Sequence, residues 1–203
     1  MKSIDPDDLS IKENYKFLTG SIIPRPIAFV STLSTSGVLN AAPFSYFNAL
    51  TSNPPLIAIS IGRKNGIQKD TSRNAEAQGE FVVHIPDETY IEKVNLTAAN
   101  LGPEESEVDL AKLTAVDSVK VKIPGIAEAK VRMECVVEQI LPLGGTADQP
   151  ATDLLIGRVV HYHIAEELYS GGRIDAEKLR PIGRLAGTAY AKLGETFSLD
   201  RPE

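Results

Sequence analysis

Pro24-Arg25-Pro26-Ile27-Ala28-Phe29-Val30-Ser31-Thr32-Leu33, the turn Ser34-Thr35-Ser36-Gly37 and the return Val38-Leu39-Asn40-Ala41-Ala42 decide the fold class of this chain. The two prolines exclude helix, and the β-branched and aromatic content of Ile27 to Leu33 reads as a strand. Gly37 suits the end of a tight turn, so Val38 to Ala42 begins the second arm of a hairpin. Pro54-Pro55 then opens Leu56-Ile57-Ala58-Ile59-Ser60-Ile61, a nearly continuous apolar run of buried-strand type. Phe81 to Ile85 is another strand, and more are expected near 119–123, 128–141 and 153–164.

Helices are few. Ser10 with Glu13 makes a capping box and Gly20 a stop, predicting a helix over 11–19. A second is expected from Asp70, as N-cap, to Gln78 before Gly79, and a third over 88–101. Many strands and long excursions predict a mainly β protein, a small antiparallel Greek-key barrel forming a single domain over 1–203. The turn-rich tail from Asp175 is expected to wrap the domain or a partner subunit.

With 203 residues, 42% of them hydrophobic, one domain with a sizeable core is the ordinary expectation. MKSIDPDDLSIKEN lacks the basic and apolar regions of a signal peptide and no span crosses a membrane, so a cytoplasmic location is expected. Cys135 is the single cysteine and reads as core packing. A net charge of −6 without a dense basic block argues against nucleic acid.

The charge is unevenly spread. Between Asn14 and Lys69 there is no Asp or Glu, although the chain holds 27 carboxylates, while Lys16, Arg25, Arg63, Lys64 and Lys69 remain. Burial of strands explains a deficit; a complete absence favours a bound anion. Hydroxyls, amides and cations sit where successive strands end: Ser31-Thr32, Asn40 to Asn48, Arg63-Lys64 and Lys69-Asp70-Thr71. Lys69 offers charge, Thr71 a hydroxyl, and the first turn of the helix its free N–H groups, the parts needed for a phosphate monoester. No dinucleotide-binding Gly-x-Gly-x-x-Gly after a strand, phosphate loop or Gly-x-Ser-x-Gly elbow occurs. His161 and His163 alternate on a strand as one conceivable metal pair, but an ordinary two-faced strand accounts for them better, and no metal is expected.

Pro24 to Thr32, Asn40-x-Ala42-Pro43-Phe44-Ser45-Tyr46-Phe47, Pro54-Pro55, Lys69-Asp70-Thr71 with Asn74, and Arg184-Leu185-Ala186-Gly187-x-x-Tyr190 closely resemble the flavin reductase-like family of FMN-binding split barrels, which includes flavoredoxin-like proteins and flavoprotein oxygenases. The resemblance covers about residue 15 to Pro202. It implies a six-stranded antiparallel Greek-key split barrel and a homodimer with FMN near the subunit interface. By position, Ser31, Thr32, Asn40, Ala41, Ala42, Ser45, Phe47 and Asn48 would line the flavin and its ribityl chain. Arg63, Lys69 and Thr71 would hold the phosphate, Gly62 and Asp70 would belong to the same cofactor site with Asp70 pointing at its own helix, and Arg184 with Tyr190 would approach from the tail. Where many members have two glycines after Arg-Leu, this chain has Ala186-Gly187.

The expected function is that of an FMN-binding oxidoreductase, an NAD(P)H-dependent flavin reductase using NADH or NADPH. The alternative is an electron-transfer flavoprotein that holds FMN tightly and serves a protein redox partner. Hydride transfer needs orientation rather than a protein nucleophile, so no catalytic side chain is expected. A zone of amides and hydroxyls without carboxylates suits both a phosphate and an anionic reduced flavin.

Overall fold

The structure, a computed structural model, describes residues 1–102 and 104–202. After a 3-10 turn at Pro6–Asp8, α1 (Ile11–Ser21) starts at the expected capping box, with the Ser10 side chain on the Glu13 N–H and the Glu13 carboxylate on the Ser10 N–H. It runs past Gly20, because Arg25 donates to the end carbonyls Thr19 O at 2.7 Å and Ile22 O at 2.9 Å.

Strands β1 (Ala28–Leu33), β2 (Leu39–Phe44), β3 (Phe47–Ser52), β4 (Pro55–Gly62) and, after α2 (Asp70–Gln78), β5 (Glu80–His84) follow. A long excursion holds α3 (Ile91–Leu96), α4 (Glu107–Leu110) and the short pair β6 (Ala115–Val116) and β7 (Gly125–Ile126). The long hairpin of β8 (Val131–Gly145) and β9 (Pro150–Ile164) returns to the sheet. The tail then forms a 3-10 turn at Glu166–Leu168, the pair β10 (Tyr169–Ser170) and β11 (Arg173–Ile174), α5 (Ala176–Leu179), and the pair β12 (Ile182–Arg184) and β13 (Tyr190–Lys192).

Seven strands form one antiparallel sheet in the order β2-β1-β5-β8-β9-β4-β3. Its two edge strands are consecutive in sequence, joined only by Ser45 and Tyr46, so the sheet must curl until its edges meet. No ladder joins β2 to β3 among the described residues, and the barrel is split there; Ser60 N donates to Tyr46 O at 2.8 Å across the corner. Six strands are expected from the resemblance; the seventh arises because β2 and β3 are one strand broken at this corner. Ala42 and Phe44 face the core on one parity and Phe47 on the other, so the pleat has to be interrupted between them.

The barrel interior holds Ala28, Val30, Phe44, Ile57, Ile59, Ile61, Phe81, Val83, Cys135 and Leu155, and Ala75 of α2 closes one end. A second core forms outside the barrel, where Phe29 and Ala41 pack under Tyr90, Val94, Val108 and Ile126 of the excursion. β1 is therefore buried on both faces, which explains the apolar run Ile27 to Val30 that leads into Ser31 and Thr32.

Two expected elements are altered. The helix over 88–101 is only α3, Ile91–Leu96: Thr97 Oγ1 donates to Val94 O at 2.7 Å and the chain turns away to form the 97–101 loop. Residues 119–123 are not a strand, because the N–H groups of Val119, Lys120 and Val121 go to the Glu134 carboxylate and that of Lys122 to Glu80. His163 Nε2 donates to the same Glu134 at 2.5 Å, and no group of three or more metal-capable side chains occurs among the described residues.

Candidate functional site

A cleft of about 460 Å³ opens between β2, the segment Lys64 to Thr71, the loop Thr97 to Leu101, and Glu107 of α4. The wall after β4 is a tight turn in which Lys64 and Ile67 exchange backbone hydrogen bonds at 3.0 Å. Asn65 (φ 53°) and Gly66 (φ 76°) take left-handed positions, as a primed hairpin turn requires. It delivers Lys69 to the start of α2. Lys69, not Asp70, is the N-cap, and no side chain caps this helix. Asp70 is the first helical residue and pairs with Arg73 one turn on. The first-turn N–H groups thus keep their capacity for an anion at the cleft edge, beside the Lys69 ammonium, which lies 5.8 Å from the Phe44 ring centre.

Beneath this edge lies a buried polar network. Thr71 Oγ1 donates to Asn40 Oδ1 at 3.3 Å, and Thr32 Oγ1 to the same oxygen at 3.4 Å. Asn74 Nδ2 donates to Thr32 Oγ1 at 3.3 Å, while Asn40 Nδ2 donates to Glu107 Oε2 at 2.9 Å. Burial pushes the Glu107 carboxyl above the usual range, with the Asp70 charge adding to it and hydrogen bonds from its own backbone, Ala41 and Asn40 opposing it.

A second cavity of about 250 Å³ shares Pro43, Phe44 and Ala98 with the cleft and adds Tyr15, Arg25, Ser45, Asn95, Arg184 and Tyr190. Arg25 and Arg184 exchange backbone hydrogen bonds, and Arg25 Nη2 donates to Leu185 O at 2.9 Å, so the tail is tied to the hairpin at this lobe. The Arg184 guanidinium lies 4.4 Å over the Tyr190 ring, and Tyr190 Oη donates to Asn95 Oδ1 at 3.0 Å. In the turn between them only Gly187 has positive φ, 60°, so Ala186 sits in ordinary backbone and needs no glycine.

The split-barrel fold is found in other proteins as well. The flavin reductase like domain family matches residues 19–178. The chain belongs to this family. The crystal structure of nitrilotriacetate monooxygenase component B from Bacillus cereus is similar at 62% identity and a TM-score of 0.97, over 98% of each chain. Pseudomonas fluorescens 2-nitrobenzoate 2-nitroreductase NbaA is similar at 29% identity and a TM-score of 0.89, over 99% of this chain and 96% of that one. An uncharacterized Halalkalibacterium halodurans protein, BH2278, is 58% identical over 98% of this chain and 96% of its own length.

Of the residues expected at the site of this flavin reductase-like chain, Asn40, Ala42, Lys69, Asp70 and Thr71 line the main cleft. Ser45 and Arg184 line the second lobe, and Ser45, Phe47 and Asn48 line a groove of about 340 Å³ beside Leu18 and Ile22. Thr32 stands behind Asn40, and Ala41 gives its N–H to Glu107 at 3.4 Å. Ser31, Gly62 and Arg63 line none of these. Ser31 is wholly buried and donates to Pro124 O at 2.7 Å. Gly62 ends β4, paired with Thr152. Arg63 is drawn off to the buried Asp153, with Nε at 2.9 Å and Nη2 at 2.6 Å from one carboxylate oxygen. Glu107, Asn95 and the 97–101 loop were not expected; they lie in the acidic excursion, and no local motif marks them.

Proposed function

We propose that this chain is an FMN-binding oxidoreductase that transfers hydride between NADH or NADPH and flavin. The observation that carries the reading is the uncapped first turn of α2 with Lys69 and Thr71 at one end of the cleft. These groups would hold the phosphate, with Asn40 facing the ribityl chain and Phe44, Ser45 and Arg184 around the ring end. The combined volume falls in the range of about 300–1,000 Å³ usual for small-molecule sites. Bound flavin supplies the two-electron chemistry; the protein's part is to orient the nicotinamide and to keep competing acceptors out. The similarity to a monooxygenase component and a nitroreductase supports redox chemistry at this cleft.

The reading includes a homodimer. Ile11, Tyr15, Leu18 and Ile22 form an apolar stripe at helical spacing on α1 and its cap, yet each is more than half exposed. Tyr46 shares a groove with Leu18 and Ile22 of this stripe, and Leu50 is exposed on β3, whose outer edge has no neighbour in the sheet. An apolar face of this kind on a single chain supports burial against a second copy, and the groove at Leu18 and Ile22 adjoins the cleft through Ser45. Anaerobic mixing of FMN-loaded protein with NADH or NADPH tests the activity. Bleaching of the flavin absorbance is expected. Protein that binds no FMN, or whose flavin is reduced by a redox protein but by neither nicotinamide, would sink it.

A further inference from the structure

Two carboxylates line a cleft read as an anion site, and they are handled differently. Asp70 is neutralised by Arg73, whereas Glu107 has no cationic partner among the described residues and is only 5% exposed. Its Oε2 is anchored by Asn40 Nδ2 at 2.9 Å and the Ala41 N–H at 3.4 Å, and no side chain of another described residue bonds Oε1. The charged groups around it are Asp70 with Arg73 on α2 and Lys64 and Lys69 on the opposite wall; β2 and residues 97–101 carry none. Lys93 of α3 is drawn to Glu128, and Asp109 of α4 is exposed.

A phosphate entering this cleft brings negative charge toward a buried carboxylate whose burial already disfavours the ionised form. We propose that Glu107 takes up a proton from solvent as a phosphate monoester binds, its anchored Oε2 continuing to orient Asn40 while Oε1–H becomes a donor toward the ligand. The proton ends on Oε1 and no other bond changes. Glu107 thus acts as a positioning residue that makes phosphate affinity pH-dependent. The inference rests on the flavin phosphate reading of the cleft.

Calorimetric titration of the full chain with FMN and with riboflavin, in two buffers of different ionisation enthalpy across about pH 6 to 8, measures the proton directly. Wild type is expected to take up as much as one proton per FMN and none per riboflavin. A cationic site would instead strip a proton from the phosphate, which has the opposite sign. In Glu107→Gln the uptake should vanish, and FMN affinity should lose the steepness that one linked proton gives, at most about tenfold per pH unit. FMN binding without proton uptake, or equal uptake in wild type and the variant, overturns the role of Glu107 while leaving the flavin reading intact. Failure to bind either flavin overturns both. Should the variant not fold, the comparison of FMN with riboflavin in wild type decides alone.

Discussion

Lys69 and Thr71 reach the cleft edge because a tight turn and an uncapped helix start place them there, not because either is unusual by itself. Lys69→Ala should weaken FMN binding by about 10- to 100-fold, the worth of a charge-assisted hydrogen bond, and leave riboflavin nearly unchanged. Equal losses in fluorescence titrations of the two ligands would remove Lys69 from the phosphate. Gly157 carries a different constraint: a Cβ there would lie 2.2 Å from Cζ of Phe81, which is wholly buried in the barrel. Gly157→Ala should cost about 1–3 kcal/mol in urea unfolding through overpacking. That Lys69, Thr71 and Asn40 line one cleft was legible because each sits beside a recognisable strand end or helix start. The pairing of Arg63 with Asp153 was not legible, since the two lie 90 positions apart, nor was the tie of Glu107 to Asn40, which spans 67.

At the scale of elements, residues 119–123 are the instructive case. Val119-Lys120-Val121-Lys122-Ile123 alternates as a strand should, and Val121 and Ile123 are indeed buried, yet carboxylates rather than a neighbouring ladder take the N–H groups. Burial alone would raise the Glu134 carboxyl, but His163 and three backbone N–H groups hold it down to about 2 from an ordinary 4.5. Nearby, His84 is wholly buried, donating from Nδ1 to Phe29 O at 2.8 Å and accepting the Ile126 N–H at Nε2 at 2.8 Å. Burial is the main cause that lowers it from 6.5 to about 3, opposed by the Phe29 hydrogen bond. Both groups bind protons more readily when unfolded, so stability rises with pH. The His84 contribution is complete above 6.5 and lost toward 3; the Glu134 contribution is complete above 4.5 and lost toward 2. The urea midpoint should therefore fall as pH drops below 6.5 and more steeply below 4.5, and Glu134→Gln should flatten the lower limb alone. An unchanged lower limb would show that Glu134 does not anchor this loop.

For the whole molecule, the exposed α1 stripe makes the number of chains testable. Wild type should sediment at twice the chain mass, and Leu18→Asp, at a site 54% exposed within one chain, should yield a folded monomer. A variant that stays dimeric would move the interface elsewhere. The strand-rich class, the β1–β2 hairpin and the presence of α2 before Gly79 follow from the chain alone, because turn residues, strand runs and helix ends are written in neighbouring positions; the family follows from its motifs. The split of the barrel at Ser45 and Tyr46, the turn of Arg63 to Asp153 and the fold of Glu107 back onto Asn40 emerge only when distant segments pack together. The zone from Asn14 to Lys69 lacks carboxylates along the chain, but the cleft built from it does not, since long-range packing brings one in from the acidic excursion. Charge spacing along a sequence says which residues are near in the chain; the field at a site sums over residues near in space.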